Sequence, residues 1–205
     1  MAINLVESIQ KTLGFSELKK IDPNTQQVKE TGSEGGASSF GQAAIPAVLM
    51  GLYKYGSTEK GAEQLLRGHQ SGSWLDEFFG GQKSEAVQKV STYANHSTDE
   101  AAGKMEQIAN EAVRLIRENV PSGASFMDVK TYVTDQRKNI LVYLPAELQM
   151  SNVVNDNTLD DRTNKMEGPM SDSMHFIEKI FAGSSTEKYD RINEEDEAKG
   201  KKGTL

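Results

Sequence analysis

The sequence predicts an all-α protein, a compact array of short helices in a single domain with a disordered C-terminal tail. Three observations predict this class. Apolar residues recur every third or fourth position from Leu5 to Phe181, which is the period of a helix buried on one side. Residues typical of helix N-caps precede the apolar stripes, and Gly or Pro residues follow them, as expected at helix ends. No segment keeps the alternation that a half-buried strand requires.

In the N-terminal part, the sequence predicts three helices and a loop. Leu5, Val6, Ile9 and Leu13 form the stripe of the first helix, and Gly14 can end it. The segment "FSELKKI" (15–21) indicates a second amphipathic helix before Pro23, which can itself begin a helix. The stretch from Thr31 to Ser39, "TGSEGGASS", is typical of a loop.

The most apolar element follows at "FGQAAIPAVLMGLYKYG" (40–56). A helix that is apolar nearly all round normally lies at the centre of its bundle, and we expect that position here. Pro46 falls inside the pattern, so it either kinks the helix or marks its true first turn.

Four helices are predicted between residues 57 and 120, of which the last is the longest. Thr58 with Glu59 starts the first, and Gly68 ends it. The segment "SGSWLDEFFGG" (71–81) predicts a short amphipathic helix that ends at Gly80. Val87 and Val90 belong to the apolar stripe of the third helix. Ser97 and Glu100 have the spacing of a capping box before the long stripe that runs to Leu115 and Ile116.

The region 125–145 contains Val, Ile and Tyr, which suggests a strand, but its spacing favours a helix. Val129, Tyr132, Val133, Ile140 and Leu144 keep three- and four-residue intervals, so one helix ending by Pro145 is predicted. A short helix from Pro145 and a last helix from Pro169 to Phe181 follow. The charged, apolar-poor segment 184–205 cannot bury enough surface to offset its ordering entropy, so we predict a disordered tail.

Composition narrows the functional classes. Thirty acidic and 23 basic residues give a net charge of −7, which disfavours nucleic-acid binding. The chain has no cysteine, so thiolate metal sites and cysteine nucleophiles are excluded. The N-terminus lacks a basic leader, and the longest nearly apolar run, 43–53, is too short for a membrane span of about 20 residues. We therefore expect a cytoplasmic protein.

The stretch "VVNDNTLDDRTNKMEGP" (153–169) raises the question of a metal site. With Asp156 as the first position of a calcium loop, Thr158, Asp160, Asn164 and Glu167 stand at positions 3, 5, 9 and 12, which carry ligands in an EF-hand. The sixth position, which should be glycine, is Asp161. The competing interpretation is a polar connection of Asx-type turns with local ion pairs.

Other motifs are weak. His69, His96 and His175 form no metal-binding spacing, although distant helices could bring them together. The segment "GGQKS" (80–84) lacks the spacing of a phosphate loop and follows a predicted helix instead of a strand. Trp74, Phe78 and Phe79 could form a partner-binding patch if exposed, but aromatic residues at this spacing more often fill their own core.

Four stretches in order, "LVESIQKTLG", "IPAVLMGLYKYGSTEKGAEQLLRG", "WLDEFFGG" and "VQKVSTYANHSTDEAAGKMEQIA", resemble the YidB-like family of bacterial proteins. That resemblance covers about residues 1–120 and implies a compact array of short helices and a bacterial origin. Residues 121–183 would then be additional helices packed on this domain, with the tail at 184–205. The family has no assigned catalytic residue to carry over.

Together these observations favour a non-enzymatic module that acts through a protein partner or self-association, with no cofactor. The alternative is a metal-dependent hydrolase or a calcium-binding protein that uses the acidic loop 155–167. A hydrolase predicts a concave pocket where this loop meets a histidine or a buried acid.

Overall fold

The computed structural model describes residues 3–21, 37–68 and 72–156. These ranges confirm the all-α prediction, since they contain helices and no β-strand, with only a single bridge residue at Ile21. The α-helices in chain order are α1 (Leu5–Thr12), α2 (Ala37–Gly56), α3 (Glu59–Arg67), α4 (Trp74–Phe79), α5 (Lys83–Ala94), α6 (Thr98–Asn119), α7 (Phe126–Asp135), α8 (Arg137–Leu141) and α9 (Met150–Val154). Two 3-10 turns, Gly80–Gln82 and Ala146–Leu148, connect neighbouring helices.

The chain divides into two units, Met1–Met166 and Glu167–Leu205. The second unit lies wholly outside the described residues. The predicted helix at 169–181 and the predicted tail at 184–205 therefore stay predictions. Within the first unit, the helices after residue 120 bury their apolar faces in the same hydrophobic core as the helices before it.

Helix α2 is the central element of this core, as its apolar sequence predicts. Its side chains from Phe40 to Leu52 are buried without interruption, and α2 packs against α1, α3 and α4 through α9. Pro46 lies in the helix interior, far from the first turn. Gly51 faces the ring of Phe79, and a Cβ there would meet the ring carbons closer than van der Waals contact allows. A small residue at position 51 is thus what lets α4 approach α2.

Helix starts follow the capping pattern, with one difference. The side chains of Asn4, Thr58, Ser73, Ser97 and Ser125 each accept a backbone N–H from the first turn of their helix. At α6 the Ser97 half of the predicted capping box forms, but the Glu100 carboxylate turns to Lys104 and His96 instead of back to the cap. The reciprocal box occurs at α7, between Ser125 and Asp128.

Three sequence predictions about segments are wrong in detail. The last three residues of the predicted loop 31–39 are helical, because α2 begins at Ala37. The region 125–145 is helical, as predicted, but Gln136 separates α7 from α8, so it is two helices. The segment 15–20 has no regular secondary structure. Instead of forming helical hydrogen bonds, the backbone of Lys19 exchanges two hydrogen bonds with the Gln42 side chain, at 2.8 Å and 3.1 Å. A tertiary partner outcompetes the local helix there.

Within the described residues, no helix combines the length and apolar character that a bilayer crossing requires.

Candidate functional site

The predicted acidic loop is described only at its first residue. The backbone N–H of Asp156 donates to the carbonyl oxygen of Ser151 at 3.0 Å, directly after the left-handed Asn155 that ends α9. Thr158, Asp160, Asn164 and Glu167 lie outside the described residues. The calcium loop therefore stays a prediction.

The aromatic patch is part of the core. Trp74, Phe78 and Phe79 are only 6%, 6% and 7% exposed. The rings of Trp74 and Phe78 lie 5.7 Å apart, and Phe79 packs over Gly51 of α2. The exposure that a partner-binding patch needs is not met, because α4 is held flat against α2 and α6 and turns its aromatic face inward. The core interpretation fits these three residues.

His96 is the one histidine that falls in the described ranges; His69 and His175 lie outside them. Its Nδ1 lies 3.1 Å from Glu100 Oε2, its ring meets Phe40 edge-on at 5.1 Å, and its Nε2 is buried without a hydrogen-bond partner in the described chain. A hydrogen bond from Lys104, with a further one from His96, holds the pKa of the Glu100 carboxyl below its usual range. No set of three metal-ligating side chains is grouped among the described residues.

Glu106 is a carboxylate that no sequence motif singled out. Its oxygens accept hydrogen bonds from the backbone N–H groups of Trp74 at 2.8 Å and Leu75 at 3.3 Å, and from the Ser73 hydroxyl at 2.5 Å. These N–H groups begin α4 and have no acceptor inside that helix. Glu106 thus fastens α4 to α6 and acts as a structural group.

Two buried glutamines hold the N-terminal part of the chain in the same way. Gln136, 1% exposed, accepts the Leu5 N–H at 3.1 Å and donates to the Ile3 carbonyl at 2.9 Å, which orders the start of α1. Gln42 donates to the Tyr143 carbonyl at 2.8 Å besides its two bonds to Lys19. Their amides replace backbone partners for segments that have none of their own.

A cleft of about 420 Å³ lies between α1 and the segment before residue 21. Glu7, Glu17 and Tyr143 line it, and the Tyr143 hydroxyl lies 3.5 Å from Glu7 Oε1. Burial, with the nearby charges of Glu7 and Glu17, raises the pKa of Tyr143, so this hydroxyl stays protonated at neutral pH. The group is an acidic cluster, and no further observation points to a ligand.

A larger cleft, of about 880 Å³, lies where the C-terminal ends of α3 and α6 meet the 121–124 turn. We call it the α3–α6 cleft. Its accessible apolar lining consists of Leu66, Val120, Pro121 and Ala124, whereas Trp74 and Val113 lie beneath it and are only 6% and 4% exposed. Three arginines also line it: Arg67, Arg114 and Arg117.

The three arginines differ in their partners. Arg67 is paired with Glu63 at 2.5 Å, and Arg114 is held between Glu111, at 2.6 Å, and Glu118. The hydrogen bond from Arg114 lowers the pKa of Glu111. Arg117, by contrast, has no ion pair or hydrogen bond with any described residue. Sequence reasoning missed it, although its helical neighbours at positions 113, 114, 120 and 121 (Val, Arg, Val and Pro) include no acid.

A scan against protein-family models, a search of curated proteins and a search of solved structures each found no match to this chain. The described residues define an all-α protein by their fold, and the YidB-like resemblance stays a prediction.

Proposed function

We propose that the protein is a non-enzymatic protein-interaction module and that the α3–α6 cleft is its binding surface. The observation that carries the proposal is the combination in this cleft of accessible apolar residues, Leu66 and Val120 among them, with an arginine, Arg117, that no described residue pairs. Interfaces commonly use this combination, because apolar contact supplies affinity and arginine supplies directed hydrogen bonds.

The use of the other buried polar groups supports the same proposal. Glu106, Gln42 and Gln136 are committed to backbone groups of neighbouring segments, so their hydrogen-bonding capacity serves the scaffold. Among them, Glu106 fastens the start of α4, whose Trp74 borders the cleft, to α6, and a preformed surface lowers the entropy lost on binding. The metal-dependent alternative depends on residues 157–167, which lie outside the described ranges, and no described contact favours it.

The test is site-specific photo-crosslinking in the protein's native cells. A photoreactive phenylalanine analogue at Ser122, an exposed residue of the cleft, should give one reproducible adduct. The same analogue at Gln88, an exposed residue of α5 outside this cleft, is the control. The crosslinked protein is identified by mass spectrometry and its binding is then measured with purified components. The same set of adducts at both positions, or none at Ser122, would exclude the cleft as the binding surface.

A further inference from the structure

We propose that the α3–α6 cleft recognises a carboxylate on a segment of its protein partner, with Arg117 as the residue that binds it. This inference rests on the proposed function and adds the chemistry of the ligand. The occupant is a peptide segment in which an Asp, a Glu or a C-terminal carboxylate stands beside an apolar side chain.

The position of Arg117 explains why its charge is open to a partner. It lies in the last turn of α6, where the negative end of the helix dipole stabilises a cation without an internal carboxylate. Glu118 is its neighbour in sequence, but adjacent residues point to different sides of a helix, and Glu118 pairs with Arg114. The five N–H donors of the Arg117 guanidinium therefore find no acceptor among the described residues.

The guanidinium lies close to the C-cap of α3. Gly68, the C-cap of α3, has a φ of +83°, and a Cβ on it would lie 3.0 Å from Arg117 Nη1. The absence of a side chain at position 68 lets the guanidinium lie against the α3 backbone. Arg117 thus reaches from α6 to the end of α3, and the apolar residues Leu66 and Val120 line the same cleft.

The charges around Arg117 favour a carboxylate over a phosphate. The positive charges of Arg67 and Arg114 are already balanced by Glu63, Glu111 and Glu118. One unpaired guanidinium matches a single carboxylate, which it can bind through two parallel hydrogen bonds. A doubly charged phosphate would need further cations and would meet the Glu118 carboxylate at the rim.

The first experiment compares defined peptides by calorimetry and by the NMR signal of the Arg117 side chain. The probes are blocked tripeptides: acetyl-Leu-Glu-Leu-amide, its Gln counterpart and its phosphoserine counterpart. We expect the Glu peptide to bind roughly tenfold more tightly than the Gln peptide and more tightly than the phosphoserine peptide. Arg117→Gln should abolish the Glu-over-Gln preference, and Arg67→Gln, which changes an already paired arginine of the same cleft, should keep it.

Equal binding of the Glu and Gln peptides, no binding of either, or an unchanged preference in Arg117→Gln would overturn the inference. Tighter binding of the phosphoserine peptide would overturn the choice of a carboxylate. The Ser122 crosslink separates this inference from the proposed function. If the adduct persists at full yield in Arg117→Gln, the proposed function stands and carboxylate recognition by Arg117 is refuted. Loss of the adduct in that variant supports carboxylate recognition.

Discussion

The carboxylate of Glu106 accepts the backbone N–H of Trp74 at 2.8 Å, and this bond joins α6 to the start of a helix thirty-two residues earlier in the chain. The Leu75 N–H and the Ser73 hydroxyl bind the same carboxylate. A helix of six residues has little stability of its own, so α4 depends on this external cap and on the burial of its aromatic residues.

We therefore expect Glu106→Gln to destabilise the fold by about 2 kcal/mol, because the amide loses the negative charge and one of the two acceptor oxygens. The free energy of unfolding in urea measures the loss. Glu85→Gln is the matched control: it removes a surface ion pair to Lys89 at 3.6 Å and should cost less than about 1 kcal/mol. Equal losses in the two variants would show that Glu106 does not cap α4.

Tyr132→Phe should stabilise the protein at neutral pH. Tyr132 is 9% exposed, and its buried hydroxyl has no hydrogen-bond partner among the described residues. Removing an unpaired buried hydroxyl should gain about 1 kcal/mol. Thermal unfolding of the variant beside the wild type measures this gain, and a lower melting temperature would contradict it.

The same tyrosine should make stability depend on alkaline pH. Burial raises the pKa of Tyr132 to about 12, against an unfolded value of about 10. Between these values the unfolded chain loses the proton while the folded chain keeps it, so stability falls as pH rises through this window. Tyr132→Phe should reduce the fall, and Tyr53→Phe, on α2, should leave the Tyr132 contribution in place.

Two helical glycines should respond oppositely to alanine. A Cβ at Gly61 of α3 would overlap the Tyr55 carbonyl oxygen, whereas nothing lies within 4 Å of a Cβ at Gly103 of α6. Gly103→Ala should stabilise by roughly 0.5–1 kcal/mol through helix propensity. Gly61→Ala should destabilise by roughly 2 kcal/mol or more, because backbone in the tight connection between α2 and α3 must move. Urea unfolding compares the two variants, and similar effects would disprove this close contact at the α2–α3 connection.

We expect millimolar calcium to leave the melting temperature unchanged. The predicted loop has Asp161 at the position where an EF-hand needs glycine, which disfavours the sharp turn. Magnesium at the same concentration is the control for ionic strength. A rise specific to calcium that Glu167→Gln removes would instead support the calcium-binding alternative.

The helices were largely predictable because their signals are local. Apolar stripes at three- and four-residue spacing identified α1 through α7. Helix α3 begins after Thr58 and ends at Gly68, as expected. The failures occurred where a distant partner replaces local hydrogen bonds. Gln136 uses its side chain to cap α1 and separates α7 from α8, and Gln42 keeps the Lys19 segment out of a helix.

The candidate site was less accessible to sequence reasoning. The lack of an acid three or four positions from Arg117 is visible in the sequence, but a single unpaired arginine is common and becomes a site only beside a cleft. That cleft requires the ends of α3 and α6 to meet. The aromatic residues of α4 were visible too, yet their burial depends on which face α4 turns towards α2.

The sequence by itself determined the all-α class, the central place of α2 and the caps of most helices, because periodicity and capping act over a few residues. Only the tertiary structure decided that Trp74 is core and that Arg117 faces a cleft. It also decided that Glu106 and Gln136 serve backbone groups far away in the chain. Those outcomes depend on which helices pack together, and packing is set by the whole core at once.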